Sequence, residues 1–162
     1  MRFAEVERDI AIGRVSVYLE SDREDRDLAG ADLRGAKLSN VLLPRADLTG
    51  ALLDGADLSG VDLTGACLHL AVLGGADLSG AKLAGADLRR CNLVGVKAVG
   101  ADFSGAKLYY ARTAMGDFTE ANFRGADIER AIFRRAILRD ADLRETTGTA
   151  NFENADLSGA QR

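Results

Sequence analysis

An all-β solenoid is the fold class this sequence predicts, and three observations predict it. From Arg26 to Glu145 the chain repeats every five residues without a slip, with apolar centres at Leu28, Leu33, Leu38 and onward to Leu143. Leu, Phe or Ile fills 22 of the 24 centres, Ala98 and Thr113 being the exceptions, and Ala stands two residues before the centre in 18 units. Thirteen units carry Gly two residues after the centre. A period of five is neither the 3.6 of a helix nor the 2 of a plain strand. So dense a spacing of Gly argues against helix as well. What remains is a run of short edges that bend at Gly-rich corners. Each edge has two inward positions of unequal size and three outward ones. A repeat this regular takes precedence over any window-by-window reading.

The elements follow in chain order. Residues 1–25 read as an N-terminal cap, because Arg14-Val15-Ser16-Val17-Tyr18-Leu19-Glu20 alternates like a strand and a charged turn follows it. An open β-coil exposes unpaired backbone at its ends, so a cap over the first coil is expected. Residues 26–145 form the repeat. After Glu145, Thr146-Thr147-Gly148-Thr149 is one residue short of a unit, and the pattern resumes at Ala150-Asn151-Phe152-Glu153-Asn154. Residues 146–162 are therefore expected to hold a register break and a broken terminal coil. Either further residues beyond Arg162 or another chain would complete it, and an end-to-end homodimer through that coil is the favoured expectation.

The units themselves point to a family. Ala-Asp-Leu-Ser-Gly occurs at 56–60 and again at 76–80, and Ala-Asp-Leu-Arg-Arg at 86–90. This A(D/N)LxG pattern resembles that of the pentapeptide-repeat proteins and covers roughly three quarters of the chain. The resemblance implies a right-handed quadrilateral β-helix, with four edges closing a coil of 20 residues. About six regular coils then fit 26–145, followed by the broken one. At about 4.8 Å per coil the stack is roughly 30 Å long.

Composition narrows the setting. The 162 residues make one domain, and no apolar run reaches membrane-spanning length. The charged N-terminus lacks a signal-peptide core. Cys91 falls on the inward small position and Cys67 on an outward one, so a disulfide is not expected. The expected compartment is the cytoplasm. Residues 1–25 hold seven acids and four bases, residues 26–162 hold 18 and 17, and the four outward faces of the repeat carry net charges of −1, +2, −2 and 0. Direct binding to nucleic acid wants a concentrated basic surface, which these sums do not show.

Residues 20 apart should lie above one another, which turns the sequence into columns. One column reads Ala29, Thr49, His69, Arg89, Tyr109, Glu129, and the next Gly30, Gly50, Leu70, Arg90, Tyr110, Arg130. Round the corner come Asp32, Leu52, Val72, Asn92, Arg112 and Ile132. Leu52, His69, Leu70, Val72, Arg89, Arg90, Tyr109, Tyr110 and Arg112 are thus expected to form one patch of aliphatic, aromatic and Arg side chains. That composition is enriched at protein interfaces. A plainer expectation is an intramolecular ladder, with Arg89 and Arg90 stacked on Tyr109 and Tyr110. The Asp residues before the centres, such as Asp27 above Asp47 and Asp57 above Asp77, read as corner carboxylates bonded to nearby backbone. Ser39, Ser59 and Ser79 form a hydroxyl column of the same kind.

Chemistry is thinly represented. His69 is the single histidine, and Cys67, two residues away, is the nearest nucleophile. On an extended edge the two share a side, but the sequence adds no third group. No cofactor motif and no metal-ligand spacing occurs, so neither is expected. Three functions follow. The first is a non-catalytic rigid scaffold for an unidentified protein partner. The second comes from the resemblance: some pentapeptide-repeat proteins mimic B-DNA in shape and charge, bind DNA gyrase, a type II topoisomerase, and protect it from poisons. Those carry a strongly acidic surface, which this near-neutral repeat lacks. The third, an enzyme, has least support.

Overall fold

The computed structural model describes residues 27–162. The cap over 1–25 and its strand at Arg14–Glu20 lie outside the described residues. Within them the five-residue period becomes geometry. Each edge contributes one bridging residue, the one just before the centre, and bridges run parallel between residues 20 apart, from Asp27↔Asp47 to Asp127↔Thr147. A bridge is made of two hydrogen bonds: the Leu33 amide donates to the Leu52 carbonyl at 2.7 Å, and the Leu52 amide donates back to the Ala31 carbonyl at 2.8 Å. Four such ladders climb the molecule, so the backbone polarity of each coil is met by its neighbours.

The bend between edges has a simple cause. The amide of Ala31 donates to the carbonyl of Leu28 at 3.0 Å, and Gly30, the second of the two residues between them, has φ of +67°. A four-residue turn with positive φ at its third residue is the type II turn, which favours Gly there. The carboxylate before the centre braces the same turn: Asp47 Oδ1 accepts from the Thr49 amide at 2.9 Å, and Asp142 Oδ1 from the Arg144 amide at 3.0 Å. The corner role expected of the Asp residues is what the structure shows. Asp57 and Asp77 do bridge as like-charged neighbours, and Lys97 Nζ reaches Asp77 at 3.0 Å from one coil above.

Centres and small positions point inward and make the core; Leu78 and Ala76, for example, are both fully buried. The two odd centres have physical accounts. Ala98 stands one coil below Phe118 in the same column, where a small side chain leaves room for a ring. Thr113 is fully buried, and its hydroxyl donates to the Ile132 carbonyl at 2.8 Å. Gly116, an exception at the small position, is required by the same ring: a Cβ there would sit 2.6 Å from Phe118 Cε2.

The axis changes character along its length. Phe103 stacks on Phe123 at 4.8 Å, Phe133 stacks on Phe152 at 5.2 Å, and Phe118 meets Phe103, Phe123 and Phe133 edge-on. After Thr147 the interval between bridged residues drops from 20 to 19, as in Ile132↔Asn151 and Ile137↔Asp156. Gly148 absorbs the missing residue, since any Cβ there would lie 2.5 Å from Glu129 Cβ.

Candidate binding surface

Backbone bonds set the columns of the surface before any side chain is considered. The amides of Gly50, Leu70, Arg90 and Tyr110 donate in turn to the carbonyls of His69, Arg89, Tyr109 and Glu129. Leu70, Arg90, Tyr110 and Arg130 therefore climb a single corner. Round that corner, bridges join Leu52 to Val72, Val72 to Asn92, and Asn92 to Arg112. The nine sequence-selected residues lie on these adjoining columns.

Their side chains divide into two groups. Arg89 folds back along its own edge, with Nε 2.8 Å from Asp87 Oδ1 and a second bond from its terminal nitrogen. That pairing holds the Asp87 carboxyl below its ordinary range, against the opposing effect of partial burial. Tyr109 is half-buried and meets Tyr110 edge-to-face at 4.6 Å. Arg90 and Arg112 are exposed and make no ion pair among the described residues, beside exposed Leu70 and Tyr110.

The expected stacking ladder is corrected here. Neither Arg89 nor Arg90 covers a tyrosine; it is Arg130, from the coil above, that lies 5.3 Å over the Tyr110 ring and donates to its hydroxyl. An Arg side chain in a turn with a carboxylate two residues before it finds that carboxylate first, as Arg34 and Arg144 also do. Sequence columns could have named Arg130, which shares Tyr110's column. They could not say which way Arg89 folds.

The same corner holds backbone strain. Leu70, Arg90, Tyr110 and Arg130 have φ of 62°, 59°, 56° and 60°. Left-handed backbone at a bulky residue costs roughly 1–2 kcal/mol. Positive φ at non-Gly residues also occurs at Asn40, Arg45, Met115, Glu120, Arg135, Asp140, Glu145 and Asn154, whereas between residues 60 and 95 the other corners are Gly.

Chemistry elsewhere is muted. Cys67 Sγ lies 3.2 Å from Thr49 Oγ1, and His69 Nδ1 is buried without a partner among the described residues. Cys91 is buried, its Sγ donates to the Leu68 carbonyl at 2.6 Å, and burial pushes its thiol far above the ordinary range. Ser59 Oγ donates to Asp57 at 2.7 Å, whereas Ser79 Oγ is buried without a partner among the described residues. No cluster of three metal-ligating side chains occurs among the described residues, and no helix there is long and apolar enough to cross a membrane.

Comparison with known proteins now places the chain. The profile for pentapeptide repeats matches eight copies, over residues 27–69, 71–108 and 117–147. This chain belongs to the pentapeptide-repeat family. A pentapeptide repeat protein from the Arabidopsis thaliana thylakoid lumen is 35% identical, over 65% of this chain and 70% of that one, with a TM-score of 0.50. HetL, involved in heterocyst differentiation regulation in the cyanobacterium Nostoc sp., is 34% identical over 83% and 71%, with a TM-score of 0.41. Trypsin-treated QnrB1, a plasmid-mediated fluoroquinolone resistance protein, is 21% identical over 83% and 76%, with a TM-score of 0.45. Among curated proteins nothing matches. Pentapeptide-repeat proteins form right-handed quadrilateral β-helices, and the family is generally non-enzymatic.

Proposed function

We propose that this pentapeptide-repeat protein is a non-catalytic scaffold that docks a protein partner on the corner built by Leu70, Arg90 and Tyr110. One observation carries the reading. Exposed apolar side chains and guanidinium groups without a carboxylate partner lie on contiguous columns, held by strained backbone. Aromatic and Arg side chains of this kind dominate the energetics of interfaces. Mimicry of DNA would need carboxylates arrayed outward. This corner presents arginines instead, so a gyrase-directed role has the weaker support.

Two further expectations belong to this proposal. The free thiols of Cys67 and Cys91 support a reducing compartment, taken here as the cytoplasm. The terminal coil supports self-association: Phe152 and Leu157 are half-buried, and their amides have no acceptor among the described residues. A cleft of 410 Å³ opens beside them, lined in part by Ile128, Leu143 and Phe152. We assign this end to contact with a second copy. Sedimentation equilibrium tests it: a monomer at every concentration overturns the dimer.

The scaffold reading is tested by capture from cytosol of the source cell, with wild type beside Tyr109→Ser/Tyr110→Ser. A protein held by wild type and lost by the variant supports the docking corner. Equal capture by both removes it, and a type II topoisomerase among the wild-type-only proteins would favour the gyrase reading.

A further inference from the structure

The docking corner is the border of a larger basic face. Consider the outward positions between 70 and 135 on this corner and the edge that follows it, four positions in each of four coils. They include Arg90, Arg112, Arg130, Arg134 and Arg135, and no Asp or Glu. Asp54 bounds the region below and Glu153 above. Of the five arginines only Arg130 is near an acid, Glu129 at 3.6 Å from the neighbouring column; the others make no ion pair among the described residues. Elsewhere among the described residues Arg34, Arg89, Arg124, Arg139 and Arg144 are paired, and only Arg45 and Arg162 make no ion pair.

The same face gathers the exposed apolar side chains. Five large hydrophobic residues are exposed among those described, and four of them, Leu70, Tyr110, Met115 and Ile132, lie here. Met115 and Arg135, on the far corner of the face, also hold left-handed backbone, with φ of 59° and 58°. Unneutralised guanidinium groups call for an anionic partner, because each is worth more against a carboxylate than against water. Apolar side chains set among them call for apolar groups in that partner. A nucleic-acid strand stacks its bases best on aromatic side chains, and of these four exposed apolar residues only Tyr110 is aromatic.

We propose that this face binds a protein segment in which acidic and apolar side chains alternate. The inference rests on reading the corner as an interface, and it names the chemistry of what docks there. The probe is a fluorescein-labelled twelve-residue peptide of the unit Asp-Phe-Glu-Leu repeated three times, followed by anisotropy at low salt. A version with Lys in place of each acid and a single-stranded oligothymidylate of equal length serve as comparisons. Wild type should bind the acidic peptide. Arg112→Glu/Arg134→Glu should weaken binding by about tenfold or more. Lys82→Glu, on the opposite face, should leave it within about twofold. Circular dichroism should show both variants folded at the assay temperature, with Lys82→Glu melting somewhat lower because it sets a third carboxylate between Asp62 and Asp102.

Failure to bind the acidic peptide, or equal loss in both variants, overturns the acidic partner. Tighter binding of oligothymidylate overturns it in favour of a nucleic acid. Binding of the Lys peptide, lost in Tyr109→Ser/Tyr110→Ser, also overturns the acidic partner yet keeps the corner as an interface. Capture from cytosol judges that interface separately.

Discussion

The opening coils and the closing coils solve the same geometric problem with different residues. From Gly30 to Gly105 there are 16 corners, of which 12 are Gly, and the axis up to Ala98 is otherwise Leu. From Tyr110 to Glu145 there are eight corners, of which only Gly125 is Gly, and the axis carries Phe118, Phe123 and Phe133. The backbone does not change: φ is +64° at Gly80 and +59° at Met115. Opening coils thus relax the corner and pack modestly, while closing coils strain the corner and pack aromatic rings. Each buried ring covers more apolar area than a Leu and adds ring–ring contact worth about 0.5–1.5 kcal/mol. That gain offsets left-handed strain of similar size. Bulk at the corners is then tolerated, and apart from Leu70 and Arg90 it is in these coils that the corner side chains of the proposed interface appear.

The comparison is open to direct attack. Its largest expected effect comes from the axis. Leu78→Asp places a carboxylate among fully buried neighbours and should abolish cooperative melting, since an unpaired buried charge costs several kcal/mol or more. A wild-type melting midpoint would show that the axis is not where the repeat places it. Next come truncations in the two halves. Phe123→Ala should cost about 3–5 kcal/mol and Leu58→Ala about 2–5, with the former larger. Urea unfolding that ranks them the other way would break the claim that the closing coils pack more strongly.

Smaller effects sharpen the picture. Gly116→Ala forces a methyl against the Phe118 ring and should destabilise by about 1–3 kcal/mol. Gly85→Ala meets open space, so its expected cost of roughly 1 kcal/mol reports left-handed backbone alone. The mirror experiment, Met115→Gly, should cost nothing or stabilise by up to about 1 kcal/mol, because it releases that strain. If Gly85→Ala and Met115→Gly both destabilise equally, corner strain is not what separates the halves.

The mildest test is acid. Hydrogen bonding from Arg144 holds Asp142 down at about 2, and bonding from Ser158 and Arg139 holds Asp156 at about 2. A carboxylate whose folded value is depressed stabilises the fold above its unfolded value of about 3.9, and that contribution fades as pH falls through the folded value. Closing coils should therefore lose stability between about pH 4 and pH 2. Protection factors at the Leu138 and Leu143 amides, which donate to the Asp156 and Gln161 carbonyls, should fall in that window once the intrinsic pH dependence of exchange is divided out. Asp142→Asn should flatten the dependence.

How much of this was legible in the residues depends on what the repeat constrains. The centres, the small positions and the corner role of Asp were readable, because each is fixed by the five-residue period and by turn chemistry. The deletion at 146–149 was readable as a break for the same reason. The aromatic axis was not read, because a Phe and a Leu count alike as apolar centres until Ala98 and Gly116 are seen making room for Phe118. The basic face was hidden by arithmetic: summed over every coil, Asp32 and Asp54 dilute Arg112, Arg134 and Arg135. Arg134 and Arg135 were missed on that account, and a coil-by-coil sum would have found them, whereas Met115 and Ile132 carry no charge and stand out only by their exposure in the folded coils.

By itself the sequence determined the solenoid, its inward residues and the columns of its surface, since a period of five with alternating large and small apolar residues can be buried in few other ways. Tertiary structure decided what the outward side chains do. Arg89 turns to its own Asp87, Arg130 crosses a coil to Tyr110, and Arg90 and Arg112 are left to solvent. The physical reason is reach. A long side chain has several rotatable bonds and several carboxylates or rings within range, and only the packed coils above and below settle which of them it meets.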